Sequence, residues 1–126
     1  MEYKELTEKV IGCAYRVYNT LGFGFLESVY ENSLVIELKK AGFKVEQQKP
    51  INVYYDGQCV GAFKADIVVD DLIILELKSV QVIQKEFEVQ LVNYLTTTMK
   101  PVGLILNFGP KKVEVKRKVR VLPEKK

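Results

Sequence analysis

The stretch that decides the fold is Ala65-Asp66-Ile67-Val68-Val69-Asp70-Asp71-Leu72-Ile73-Ile74-Leu75-Glu76-Leu77-Lys78. Two β-branched, apolar runs flank a pair of aspartates, so it reads as strands Gln58–Val69 and Leu72–Val80 joined by a tight turn. Both faces are apolar along most of the length, which marks a central pair of a covered sheet. Asp66, Glu76 and Lys78 interrupt that pattern. A carboxylate in such a strand costs several kcal/mol, roughly, unless it is paired or holds a cation. Glu76 and Lys78 are two residues apart and share one face. If the turn is the three-residue loop Asp70-Asp71-Leu72, Val69 pairs with Ile73 and Asp66 lies opposite Glu76. A two-residue loop would shift the register and separate the two faces. Opposed carboxylates repel unless a metal, or the Lys78 ammonium, sits between them. Both a metal site and a structural Asp/Glu/Lys ion cluster satisfy this pattern.

Working outward, residues 5–21 carry Leu6, Val10, Ile11, Ala14, Val17, Tyr18 and Leu21 at helical spacing, with Gly22 as the stop. A second helix is expected from Leu26 to Ala41, with Val29, Tyr30, Leu34 and Leu38 inward. Two short strands, Phe43–Gln48 and Ile51–Tyr55, precede the Asp56-Gly57 hairpin signal. Residues 84–99 return to helical periodicity, and Pro101 ends that element. Val102–Phe108 is a continuous apolar strand, and Val113–Val121 alternates apolar and basic residues. The expected order is α-α-β-β-β-β-α-β-β, a single α/β (α+β) layer structure of residues 1–126 around a mixed sheet.

The 126 residues include no histidine, which excludes Ser-His-Asp and Cys-His triads and imidazole-ligated zinc. Catalysis, if present, rests on carboxylates, lysine, tyrosine or an oxygen-held metal, which favours Mg²⁺, Mn²⁺ or Ca²⁺ over softer ions. Cys13 and Cys59 supply neither a disulfide framework nor a CxxC knuckle, in keeping with a reduced, cytoplasmic protein. The longest wholly apolar run is Leu72–Leu75, so no membrane partner is expected. Charge is uneven. Residues 111–126 hold eight Lys/Arg against two Glu, a net of +6, while residues 1–110 carry 11 − 14 = −3. Lys111, Lys112, Lys116, Lys118 and Arg120 therefore form a basic segment suited to a polyanion such as nucleic acid, or alternatively a lysine-rich soluble edge. Glu-x-Lys begins at Glu2, Glu37, Glu76, Glu114 and Glu124, so the spacing itself is uninformative. Only Glu76 follows a strand that carries its own aspartate.

Gly24-Phe25-Leu26-Glu27-Ser28-Val29-Tyr30 reads Gly-x-x-Glu-x-x-Tyr after a helix ending Leu21-Gly22. With Val53-Tyr54-Tyr55-Asp56-Gly57, Ala65-Asp66, Glu76-Leu77-Lys78, Gln90 to Leu95 and Gly103 to Gly109 in order, the chain resembles the GxxExxY family of the PD-(D/E)XK nuclease superfamily. That resemblance implies a restriction-endonuclease-like core, with a mixed β-sheet flanked by helices. It implies that Asp66 and Glu76 bind a divalent metal, that Glu27 completes the acidic cluster and that Lys78 positions or activates water. It also implies that Gln90 and Tyr94 form a Gln-x-x-x-Tyr pair beside the site, Gln90 with a catalytic role and Tyr94 against the nucleic acid. Tyr18 and Phe87 stand where many members carry histidine, and Phe23 where they carry proline. The expected activity is metal-dependent hydrolysis of nucleic acid, DNA ahead of RNA, with little sequence specificity and a homodimer through the Val113–Val121 edge. The alternative is a binding module that keeps the nuclease fold without catalysis.

Overall fold

The computed structural model describes residues 3–120. Two helices come first, α1 (Lys4–Leu21) and α2 (Glu27–Lys40), followed by strands β1 (Val45–Tyr55), β2 (Gln58–Val69) and β3 (Ile73–Lys78). Helix α3 (Lys85–Thr98) then crosses to β4 (Val102–Phe108), which turns into β5 (Val113–Val119). The five strands lie in sequential order β1-β2-β3-β4-β5. Only β3 and β4 run parallel, because α3 carries the chain back between them, and every other neighbouring pair is antiparallel.

Helices cover both faces of the sheet. On one side Val10, Ala14 and Val17 of α1 and Tyr30, Leu34 and Leu38 of α2 pack on Ile73, Leu75, Leu77, Leu104 and Leu106. On the other, Leu91, Tyr94 and Leu95 of α3 pack on Ile74 and Ile105. The whole of β4 is buried, as its uninterrupted apolar sequence requires. Helix α3 lies so close to β4 that a Cβ on Gly103 would come within 2.8 Å of Leu91 Cδ1. Among the described residues no helix is long and apolar enough to cross a membrane.

Two expected strands are one. Phe43–Gln48 and Ile51–Tyr55 form the continuous strand β1, so the chain has one fewer strand than its sequence suggests. The apparent gap is a bend: Gln48 has φ 50° and faces Asp66 across the β1–β2 ladder. Pro50 is tolerated because β1 is an edge strand. The bend also turns β2. Ala65 packs on the α3 side, whereas Ile67 and Val69 pack on the α1–α2 side, although strict alternation would keep them together. The outer part of the hairpin consequently leans over α3. The last strand is described to Val119, and Val121 lies outside the described residues.

Candidate active site

The turn after β2 settles the register. Asp70 and Asp71 both adopt left-handed backbone, with φ 51° and 56°, and the Leu72 amide donates to the Val69 carbonyl at 2.9 Å. Val69 pairs with Ile73 and Ile67 with Leu75, which leaves Asp66 opposite Glu76 as the three-residue loop demands. At that level side chains replace the ladder. The Asp66 amide donates to Glu76 Oε2 at 3.0 Å, and the Leu77 amide donates to Asp66 Oδ2 at 2.8 Å. The strands diverge here, and each carboxylate bridges the opening to the other strand's backbone.

Each acid thereby commits one oxygen to a backbone amide and keeps one turned elsewhere. Asp66 Oδ1 receives only a long contact, 3.5 Å, from Gln48 Nε2. Burial first, and then the neighbouring Asp66 charge, pushes the Glu76 carboxyl up to about 7, despite the bond from the Asp66 amide and the Lys78 charge. Lys78 does not neutralise the pair by contact. Its Nζ lies 4.2 Å from the centre of the Phe87 ring, and it makes no ion pair among the described residues. The structure therefore lacks the Glu76–Lys78 ion pair on which the structural-cluster reading depends. Two hard oxygen donors whose mutual repulsion the Lys78 charge offsets only in part suit a small divalent cation, whose other positions substrate and water oxygens would fill. Among the described residues no three acidic or thiol side chains form a ready-made cage. The site fits an ion held by two carboxylates.

The glutamate of α2 tied to this pair is Glu31. Its Oε1 accepts from Gln48 Nε2 at 2.9 Å and its Oε2 from Gln47 Nε2 at 2.8 Å, so the Gln48 amide spans Glu31 and Asp66. Glu31 also contributes to the upward push on Glu76. Glu27 stands one turn earlier, exposed at the first position of α2 where the helix dipole favours it, and bonds to no described residue. The tyrosine of the same motif is structural. Tyr30 is fully buried, stacks on Phe108 at 4.4 Å, donates its hydroxyl proton to the Gly22 carbonyl and accepts from the Phe25 amide. It thus closes the turn in which Gly22 and Gly24 take φ 71° and 114°.

Helix α3 presents Phe87, Gln90, Leu91 and Tyr94 along one face. Tyr94 is 7% exposed, and burial, then the charges of Glu76 and Asp66, raise its hydroxyl above the ordinary value. Gln90 is exposed on the same side. Asn107 is fully buried, in register with Lys78. Its Oδ1 accepts from the Val80 amide at 2.9 Å, and its Nδ2 donates to the Val80 carbonyl at 2.9 Å and to Glu114 Oε1 at 3.2 Å. It pins the chain just beyond Lys78. Its signal was a lone amide in an apolar strand, since such a group must be bonded when buried.

The basic segment divides. Lys111 and Lys112 are exposed in the β4–β5 turn, at the same sheet end as Lys78, because Lys78 pairs with Asn107 and Asn107 with Glu114. That turn is tied to α1 by Tyr18 Oη, which donates to the Gly109 carbonyl at 2.6 Å, and by Tyr15 Oη, which donates to Val113 at 3.1 Å. Lys116 is exposed on the rung of Glu76, two strands and roughly 10 Å away. Lys118 is engaged by Glu88 of α3 at 2.7 Å and holds that carboxyl below the usual range. Arg120 donates from its amide to Pro101 and from Nη1 to Met99, at the far end of the sheet. The structure thus brings Asp66, Glu76 and Lys78 together, sets Tyr94 within reach of both acid charges with Gln90 one turn before it on α3, and places Lys111 and Lys112 at the same sheet end and Lys116 on the rung of Glu76. It keeps Lys118 and Arg120 on other partners.

A mixed five-stranded sheet with helices on both faces, and acids on strands that part at its centre, defines a restriction-endonuclease-like fold. The chain belongs to the PD-(D/E)XK nuclease superfamily, whose sequence profile matches residues 4–118. The same fold appears in the crystal structure of a protein designated SSO0001, at a TM-score of 0.59 and 15% identity. That match takes in 96% of this chain, which spans 61% of the length of that structure. No curated protein matches the sequence.

Proposed function

We propose that the chain is a metal-dependent nuclease of the GxxExxY type, hydrolysing phosphodiester bonds in nucleic acid, with DNA the first candidate substrate. The observation that carries this is the Asp66–Glu76 opposition, in which two acids face each other with no cationic side chain in contact among the described residues and Glu76 is pushed up to about 7. Asp66 and Glu76 would hold Mg²⁺ or Mn²⁺, with Glu27 or Glu31 of α2 able to bond its water shell. The ion, when bound, would lower the pKa of a water and offset charge developing on the phosphate. Lys78, on the face of Glu76 and ion-paired with no carboxylate among the described residues, places its ammonium beside the attacked phosphate and stabilises the added negative charge. Phe87 fixes that ammonium from below. Gln90 orients the substrate from α3, and Tyr94 walls the site. Lys111, Lys112 and Lys116 hold backbone phosphates on the open side. A cytoplasmic location and pairing of two copies along β5 belong to the same reading.

The test is a cleavage assay on single- and double-stranded DNA and RNA, titrated with Mg²⁺ and Mn²⁺. Cleavage that depends on metal and is lost in Lys78→Ala supports the proposal. Metal-independent cleavage, or none on any of the four substrates, overturns it.

A further inference from the structure

Between the leaning β1–β2 hairpin and α3 lies a groove of about 620 Å³. Val53, Phe63, Val89 and Tyr94 give it apolar walls, and Gln90 and Asn93 reach it from the helix. Phe63 and Tyr94 form a tilted aromatic pair with ring centres 5.6 Å apart, and Phe63 is 44% exposed. The Gln90 and Asn93 carboxamides are exposed and bond to no described residue. Among the described residues that line it, the charges, Lys85 and Glu86, are of opposite sign, so the groove offers a phosphate backbone no net positive charge. The groove and the acidic pair lie on the same α3-covered side of the sheet, and Tyr94, which lines the groove, is close enough to feel the charges of both acids.

We propose that this groove is a subsite for an unpaired nucleobase of the substrate strand, with its ring against Phe63 and its polar edge toward Gln90 and Asn93. A base combines flat apolar faces with donors and acceptors around its rim, which is the complement of an aromatic wall edged by free carboxamides. With Tyr94 lining the groove and near both acids, a base seated there sets the strand's backbone toward the acidic pair. In an intact duplex each base is stacked and paired, so its faces cannot reach Phe63. The subsite accordingly selects single strands, overhangs or frayed ends. This rests on the nuclease reading for its substrate class, but the groove and the chemistry are tested separately.

The experiment is fluorescence anisotropy at fixed salt, in EDTA so that the strand stays intact. The probes are a labelled oligodeoxynucleotide, an abasic strand of equal length and a blunt duplex. The wild type should bind the base-bearing strand about fivefold or more tightly than the abasic one, and more tightly than the duplex. Phe63→Ala and the uncharged Val89→Gln should each bring the base-bearing strand down toward the abasic value without altering abasic binding. Both positions are exposed, and thermal melts verify that each variant folds. Equal wild-type affinity for the base-bearing and abasic strands overturns the subsite, as does unchanged binding in both folded variants. Base-dependent binding without cleavage under Mg²⁺ or Mn²⁺ supports the groove and refutes the nuclease reading. Metal-dependent cleavage with equal binding of base-bearing and abasic strands does the reverse.

Discussion

Replacing Glu76 by Gln separates a metal site from a structural ion cluster through stability alone. In the folded protein the Glu76 carboxyl titrates at about 7, against an ordinary value of 4.5. A folded-state pKa raised in this way favours the fold below pH 4.5, where Glu76 is protonated in both states. That advantage is lost as pH rises through 7. The shift of 7 − 4.5 = 2.5 corresponds to an upper bound of about 3.4 kcal/mol at pH 8, reduced by residual solvent contact. Glutamine keeps an oxygen to accept from the Asp66 amide and carries no charge, so it removes the repulsion and keeps the bond. Without metal, Glu76→Gln should therefore match the wild type at low pH and melt higher at pH 8, by about 5 °C or more. Mn²⁺ at about a hundred times its Kd should add about 2.7 kcal/mol to the wild type and little to the variant. Thermal melts at pH 4 and 8, each with chelator and with Mn²⁺, contain the whole comparison. If the glutamine variant instead loses roughly 3–5 kcal/mol without metal, and the wild type ignores Mn²⁺, Glu76 is a structural partner of Lys78 and the reasoning fails.

Lys111→Ala with Lys112→Ala should flatten the dependence of log affinity on log salt by about one to two units. Lys118→Ala should change it less, since Glu88 already engages that ammonium; anisotropy titrations at several salt concentrations measure both. Tyr94→Ala should cost on the order of 3 kcal/mol in denaturant melts, because its ring is core. Gln90→Ala, at an exposed position, should leave the melt unchanged and lower cleavage, so equal losses of stability would make Gln90 structural. Asn107→Ala strands the Val80 amide and carbonyl and should cost about 2–4 kcal/mol. If it acts by positioning Lys78, the kcat losses of Asn107→Ala and Lys78→Ala should not add in the double variant, whereas additive losses would confine Asn107 to stability.

The hairpin register was legible because local chemistry determines it. Two aspartates tolerate left-handed backbone, and a three-residue loop leaves one partner for Asp66. Val102–Phe108 was equally readable, since burial on both faces forbids polar alternation. The bend at Gln48 was not. Lys49-Pro50 looks like a strand break, and only pairing with β2 shows that an edge strand passes through it. The Gly-x-x-Glu motif points to Glu27 alone, and Glu31, one turn later on the same helix face, becomes visible only through the position of Gln47 and Gln48. Lys116 and Lys118 alternate alike along β5, yet α3 brings an acid to Lys118 and leaves Lys116 exposed. Contacts of that kind depend on how layers pack, which periodicity does not encode.

The acids that bridge β2 and β3 also constrain how this site can change over evolutionary time. Asp66 Oδ2 stands in for a carbonyl in the sheet, and Glu76 Oε2 does the same from the facing strand. A lineage abandoning catalysis therefore cannot discard these side chains as it could an isolated surface acid, because an apolar replacement leaves a backbone amide unpaired in the middle of the fold. On the nuclease reading, asparagine at position 66 or glutamine at position 76 would silence the chemistry while keeping an acceptor in place. Loss of function through the amides is a single nucleotide-scale step with an intact sheet, whereas loss through alanine requires repair elsewhere. Inactive descendants of this architecture should accordingly bear the amide imprint of the acids they replaced.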